Sequence, residues 1–192
     1  MKKRITLLLT MALLALVAQP AFAELLERGT KMPGLRLSTL TGEMVALVTR
    51  EQRLSIISTP PGGKGEATQS SPKAALLFFL QPGCRVCHEE MLHLQKLHEK
   101  YAKDGLMVLG ISMSPMENLA KQTAERLRVT YPILKGADSV DAQKCNTASC
   151  PVYVVDGGGI IRSSQTGFTK GDEKKWEQTI QTLLNAATPP KQ

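Results

Sequence analysis

The chain has 192 residues and carries 24 Lys and Arg against 17 Asp and Glu, a formal net charge of +7. The basic residues are scattered and only eight aromatic side chains are available for stacking, which argues against a nucleic-acid-binding surface. This length suits one domain with a proper apolar core.

In chain order, Lys2, Lys3 and Arg4 precede an apolar run from Ile5 to Ala18, broken only by Thr6 and Thr10. The run closes on Ala21-Phe22-Ala23, the small-x-small pattern of a signal-peptidase site. The expectation is a signal peptide over 1–23, cleaved to leave a periplasmic protein of net charge +4. A membrane-anchored form is the alternative, but the run is shorter than the roughly 20 residues a spanning helix needs. The remaining domain is expected over 24–188, with a disordered tail from residue 189.

Leu35, Leu37 and Leu40, then Met44, Val45, Leu47 and Val48, flank Thr41-Gly42 and predict a β-hairpin. Residues 58–73, rich in Pro, Gly and Ser, read as a flexible insertion outside the core. Ala74 to Leu80 is a continuous apolar run, the signature of a buried central strand. A long helix is expected from about Cys84 to Lys103, with Val86, Met91, Leu94 and Leu97 at helical spacing and Asp104-Gly105 as its stop. Leu106 to Ile111 is a second buried strand, and a helix follows from Pro115 to about Arg128. Tyr131 to Leu134 is a short extended piece, and 135–149 is polar with room for a helical turn. Val152–Val155 and Ile160-Ile161 flank Asp156-Gly157-Gly158-Gly159 as a hairpin. An amphipathic helix from about Asp172 to Ala186 closes the domain. This order predicts an α/β fold, a central mixed sheet with helices on both faces and an extra N-terminal β-hairpin.

Four cysteines occur as two local pairs, Cys84/Cys87 and Cys145/Cys150. In an exported protein disulfides persist, but bridges closing such short loops restrict the unfolded chain least. The spacing therefore points to chemistry. Cys84 stands where the buried strand ends and the long helix begins, where unpaired N–H groups and the helix dipole favour a thiolate. Arg85 adds positive charge, and Cys87 lies within reach of the first sulfur. The exposed Cys84 is expected to attack and Cys87 to resolve the mixed disulfide.

These residues, with Pro151 directly before the strand Val152–Val155, resemble the thioredoxin superfamily and within it the TlpA/ResA-like exported thiol–disulfide oxidoreductases. The resemblance runs over roughly residues 30–186 and includes LLFFLQPGCRVCHEEM and CPVYVVDGGGIIRSSQTGF. It implies Cys84 as nucleophile, Cys87 as resolving thiol and Pro151 as a cis-proline shaping the substrate groove. It further implies a reductant of protein disulfides that needs no cofactor. The implied partners are protein thiol or disulfide clients, such as apocytochromes or copper-site proteins, and a membrane thiol-transfer reductase. The chain departs from the pattern at Gly83, where the family has Trp, and in the insertion at 58–73. It departs again at Phe78, where thioredoxins proper carry a buried acid. Glu89 and Glu90 are alternatives for that acid, although a helix surface more often leaves such residues solvated.

Cys150 leaves two readings open. It either bridges to Cys145, rigidifying the loop, since a C-x4-C loop meets disulfide geometry easily, or it exchanges with the Cys84/Cys87 pair or joins a metal site. Cys84-Arg85-Val86-Cys87-His88 also matches the pattern for covalent haem attachment. Cys84, Cys87, Cys150 and His88 are soft ligands in type for zinc or Cu(I). Against haem, the motif follows a buried strand and opens a long helix. Against a metal, His88, His93 and His98 are spaced by five and spread around that helix. A peroxidase reading is weaker, because the pair is close-set and preceded by Gln81-Pro82-Gly83.

Overall fold

The protein is described by a computed structural model covering residues 25–146 and 150–186. The expected export segment at 1–23 and the tail from 189 lie outside the described residues. Among the described residues, nine strands form two sheets. The first is antiparallel, in the order β1 (Leu35–Ser38), β2 (Met44–Arg50), β3 (Arg53–Thr59), β4 (Thr68–Ser70). The second contains β5 (Ala74–Leu80), β6 (Leu106–Ser112), β7 (Ile133–Lys135), β8 (Pro151–Asp156) and β9 (Ile161–Thr166), in the spatial order β7-β6-β5-β8-β9. β5, β6 and β7 run parallel, whereas β8 pairs antiparallel with both β5 and β9, so the sheet is mixed as expected. The helices are α1 (Arg85–Tyr101), α2 (Glu117–Arg126), α3 (Val140–Cys145) and α4 (Asp172–Asn185).

β5 is the centre of the molecule because it has no polar face to offer water. All seven of its side chains are buried, and its period of two sends them alternately into two separate cores. Ala75, Leu77 and Phe79 enter a layer closed by the four-stranded sheet and α3. Leu76, Phe78 and Leu80 enter the opposite layer, with Met91, Leu94 and Leu97 of α1 and Trp176, Ile180 and Leu184 of α4. Phe78 and Phe79, one in each layer, have no exposed surface, a burial that stabilises by roughly 2–3 kcal/mol for each ring.

The N-terminal hairpin is larger than the sequence implies. β3 extends it, and residues 58–73, expected as a flexible insertion, are partly paired: Ile56, Ile57 and Ser58 of β3 face Ser70, Gln69 and Thr68 of β4. Residues 61–70 are exposed throughout, so this pairing is held by backbone hydrogen bonds rather than by a buried face.

Candidate active site

Parallel β5 ends at Leu80, and Gln81-Pro82-Gly83 turns the chain into α1. Cys84 is the N-cap, with extended backbone at φ −86° and ψ 118°, and its sulfur accepts a hydrogen bond from the Cys87 N–H at 3.4 Å. This occupies one of the orphan donors of the first helical turn. The turn before it is fastened from two sides. His88 Nε2 donates to the Pro82 carbonyl at 2.5 Å, and the Thr123 hydroxyl of α2 donates to the same oxygen at 3.4 Å. With Nε2 as donor, Nδ1 is the acceptor for the Arg126 guanidinium at 3.3 Å. Both ring nitrogens of His88 are thus engaged within the fold, which leaves neither for the axial role that the C-x-x-C-H pattern suggests.

The two sulfurs of the motif have different surroundings. Cys84 is half-buried and Cys87 is 1% exposed, packed in the layer beneath α1. Arg85 is exposed and faces Glu89 at 3.9 Å, a surface pair of little energetic weight.

The antiparallel register between β5 and β8, in which Phe78 faces Val152, carries the residues before β8 back to the end of β5 where α1 starts. Cys150 arrives there with its Sγ 3.3 Å from Cys87 Sγ. That contact, followed by burial, pushes the Cys87 thiol well above the usual range for a cysteine. Cys145 goes elsewhere. It lies in the opposite core layer with Ala142 and Tyr153, and burial followed by the nearby Asp141 raises its thiol to about 11. The sheet therefore separates Cys145 from Cys150. No disulfide joins any two of the four cysteines, and the expected Cys145–Cys150 bridge is replaced by a Cys87–Cys150 contact.

A second correction concerns Pro151. There is no cis peptide bond among the described residues, so the Cys150–Pro151 bond is trans. The chain turns instead at Cys150, whose φ of +47° is a left-handed conformation that costs an L-residue about 1–2 kcal/mol. Pro151 itself is buried and opens β8, where its missing N–H costs the ladder nothing.

Glu90 is the residue the sequence pattern undervalues. It lies on α1 three residues after Cys87, hence on the same helix face, and it is fully buried rather than solvated. Neither carboxyl oxygen has a hydrogen-bond partner among the described residues. Burial, reinforced by Cys150 and Asp172, pushes its carboxyl up to about 8. The hydroxyl of Tyr131, raised by burial and by Glu90, is likewise unpartnered and buried nearby. A carboxyl held neutral near physiological pH, on the helix face that carries Cys87, can accept or return a proton. Glu89, one residue earlier, points to solvent. Phe78 is buried in this layer, and Glu90 of α1 is a buried acid on this side of the sheet.

His93 and His98 serve separate contacts, the first against Phe168 with ring centroids 5.1 Å apart and the second edge-on to Tyr131 at 6.1 Å. The structure thus brings together Cys84, Cys87, Cys150 and Pro151 and leaves Cys145 out.

Known proteins are similar to this chain in sequence and fold. The thioredoxin-like protein YneN of Bacillus subtilis is 28% identical over 160 residues, 81% of this chain and 79% of the relative. The thiol-disulfide oxidoreductase ResA of Halalkalibacterium halodurans is 23% identical over 126 residues, 65% and 68% of the two chains. Among solved structures, a thiol:disulfide interchange protein of the thioredoxin family from Chlorobium tepidum superposes with a TM-score of 0.59 at 16% identity. That match covers 83% of this chain and 99% of the other, and establishes the thioredoxin-like fold. The family profile extends over residues 60–164, a span that includes both sheet strands of the site and all four cysteines, and the chain belongs to the AhpC/TSA family.

Proposed function

We propose that this thioredoxin-fold thiol–disulfide oxidoreductase reduces disulfides of protein clients in the periplasm, with Cys84 as nucleophile and Cys87 as resolving thiol. The observation that carries the reading is the asymmetry of the pair: a half-buried sulfur at the helix cap and a fully buried one a turn away. The Cys84 thiolate attacks one sulfur of a client disulfide, and the other client sulfur leaves as a thiolate. Cys87 then gives up its proton and attacks Cys84 Sγ. The second client sulfur leaves, and an internal Cys84–Cys87 disulfide remains. An external dithiol, a membrane thiol-transfer reductase by the resemblance, restores the reduced pair. The clients would be apocytochromes or copper-site proteins.

Because the surroundings of Cys87 hold its proton tightly, the resolving step needs a nearby acceptor. Glu90, at about 8, is suited to that task. It acts on the pair from behind, as a positioning residue for the proton. Pro151, buried beside Cys150 at the start of β8, is by the resemblance the residue that shapes the client-binding groove. The compartment rests on residues 1–23. Protein recovered from the periplasm should begin at Glu24, and an intact N-terminus on membrane-bound protein would replace cleavage with anchoring.

Reduction of insulin disulfides in the presence of a dithiol is the direct assay. Cys84→Ser should abolish turnover. Cys87→Ser should accumulate mixed disulfides between Cys84 and clients in a periplasmic extract. A Cys87→Ser protein that captures no client, beside a wild type that does reduce insulin, would sink the assignment of Cys87.

A further inference from the structure

The two-cysteine cycle leaves the third thiol of the site without a task. Cys150 is held against Cys87 at a sulfur–sulfur distance of 3.3 Å across 63 residues of sequence. A disulfide needs about 2.05 Å, so the reduced pair is in contact and short of a bond by roughly an ångström. The chain reaches this contact through a left-handed turn at Cys150, a conformation rare for a residue with a side chain. Cys145, five positions earlier, lies in the other core layer. Strained backbone directed at a reactive sulfur is what a functional position looks like.

We propose that Cys150 is a second exchange partner of Cys87, forming an alternative internal disulfide that gives the site a disulfide-isomerising mode. The inference rests on the Cys84/Cys87 cycle above. That cycle, with a client disulfide as oxidant, ends with a Cys84–Cys87 bond. The Cys150 thiolate then attacks Cys87 Sγ. The Cys87–Cys150 bond forms as the Cys84–Cys87 bond breaks, and Cys84 departs as a thiolate that takes up the proton Cys150 released. One disulfide is exchanged for another and no electrons enter or leave. The oxidised protein then presents a nucleophilic Cys84 whose resolving partner is locked away. A client captured on Cys84 in this state is released by one of its own thiols, which rearranges its disulfides instead of reducing them. The substrate class is therefore a protein with several cysteines, incorrectly paired.

Two measurements test this with the full chain. Cys84→Ser, which keeps a good cap residue at the start of α1, is oxidised with oxidised glutathione and its disulfides are mapped. A peptide linking Cys87 to Cys150 is expected. A Cys145–Cys150 link, or Cys87 and Cys150 both remaining thiols where the wild type closes Cys84–Cys87, overturns the proposal. In the second measurement, oxidised wild-type protein is alkylated without reductant. Cys84 should react in part, and this reaction should be lost in Cys150→Ser. Equal labelling of Cys84 in the two proteins also overturns the proposal. Insulin reduction by the wild type separates the two readings. If reduction fails and the Cys87–Cys150 bridge still forms, the client cycle is wrong and the bridge stands. If reduction proceeds and neither protein forms the bridge, only the proposal made here falls.

Discussion

Glu90 shows how a single buried acid couples chemistry to stability. Its carboxyl titrates near 8 in the folded protein, against an ordinary 4.5. Between those values the folded protein holds a proton that the unfolded chain has already released. Raising the pH through this window therefore favours unfolding, and the stability present below about 4.5 is lost as the pH passes 8. The size of the effect is a few kcal/mol. Glu90→Gln keeps the shape and stays neutral. Denaturation midpoints of variant and wild type should agree closely at pH 5, and the variant should be the more stable at pH 9. Its exchange rate should lose the rise with pH that the wild type shows near 8, because the proton acceptor is gone. A wild type whose stability is flat from pH 5 to 9 would mean that Glu90 is ionised in the fold. In sequence this residue is one of two adjacent acids on a helix, and only the phase of α1 separates buried Glu90 from exposed Glu89. The apolar positions Met91 and Leu94 carry that phase, so the signal was present but easily outweighed by the ordinary habit of glutamate. Cys150 is harder to read. Its spacing advertises Cys145, and only the register of β8 on β5 reveals Cys87.

At the scale of elements, the strands and helices with a strong apolar run or one clear buried face are legible in the sequence and those held mainly by backbone are not. β5, β6, α1 and α4 fall within a few residues of the expected bounds because their apolar runs or periods are strong. The β2–β3 hairpin was missed for a specific reason. Its two turn residues, Glu51 and Gln52, both have positive φ, 49° and 57°, where such turns prefer Asn-Gly or Gly-Gly. Nothing in Glu-Gln signals a turn. β4 is exposed at all three positions and so shows no side-chain pattern at all. The strained turn makes a prediction. Replacing Glu51 by Asn and Gln52 by Gly should stabilise the protein by about 1 kcal/mol, since both residues then adopt the turn at lower cost. The denaturant midpoint should rise with an unchanged slope, and insulin reduction should not change. A lowered midpoint would mean that Glu51 and Gln52 contribute contacts worth more than the strain.

For the whole molecule, the central sheet acts as a partition between a reactive layer and an inert one. Cys84, Cys87, Cys150 and Glu90 belong to the layer under α1 and α4, whereas Cys145 lies among apolar side chains between the two sheets. Two cysteines five residues apart thus end in different chemical environments, because the chain crosses from α3 on one side to the start of β8. The thiol of Cys145 is both inaccessible and raised to about 11, so it offers almost no thiolate at neutral pH. Cys145 should therefore resist alkylation in the native protein, while Cys84 reacts, and should become reactive only as the protein unfolds. Cys145→Ala removes one buried sulfur and should cost roughly 1 kcal/mol in stability through the small cavity it leaves. The disulfides formed on oxidation should map as in the wild type, because the reactive layer loses nothing. If the variant instead loses a disulfide that the wild type forms at Cys150, the partition is not the barrier described here, and the two cysteines communicate across the sheet edge.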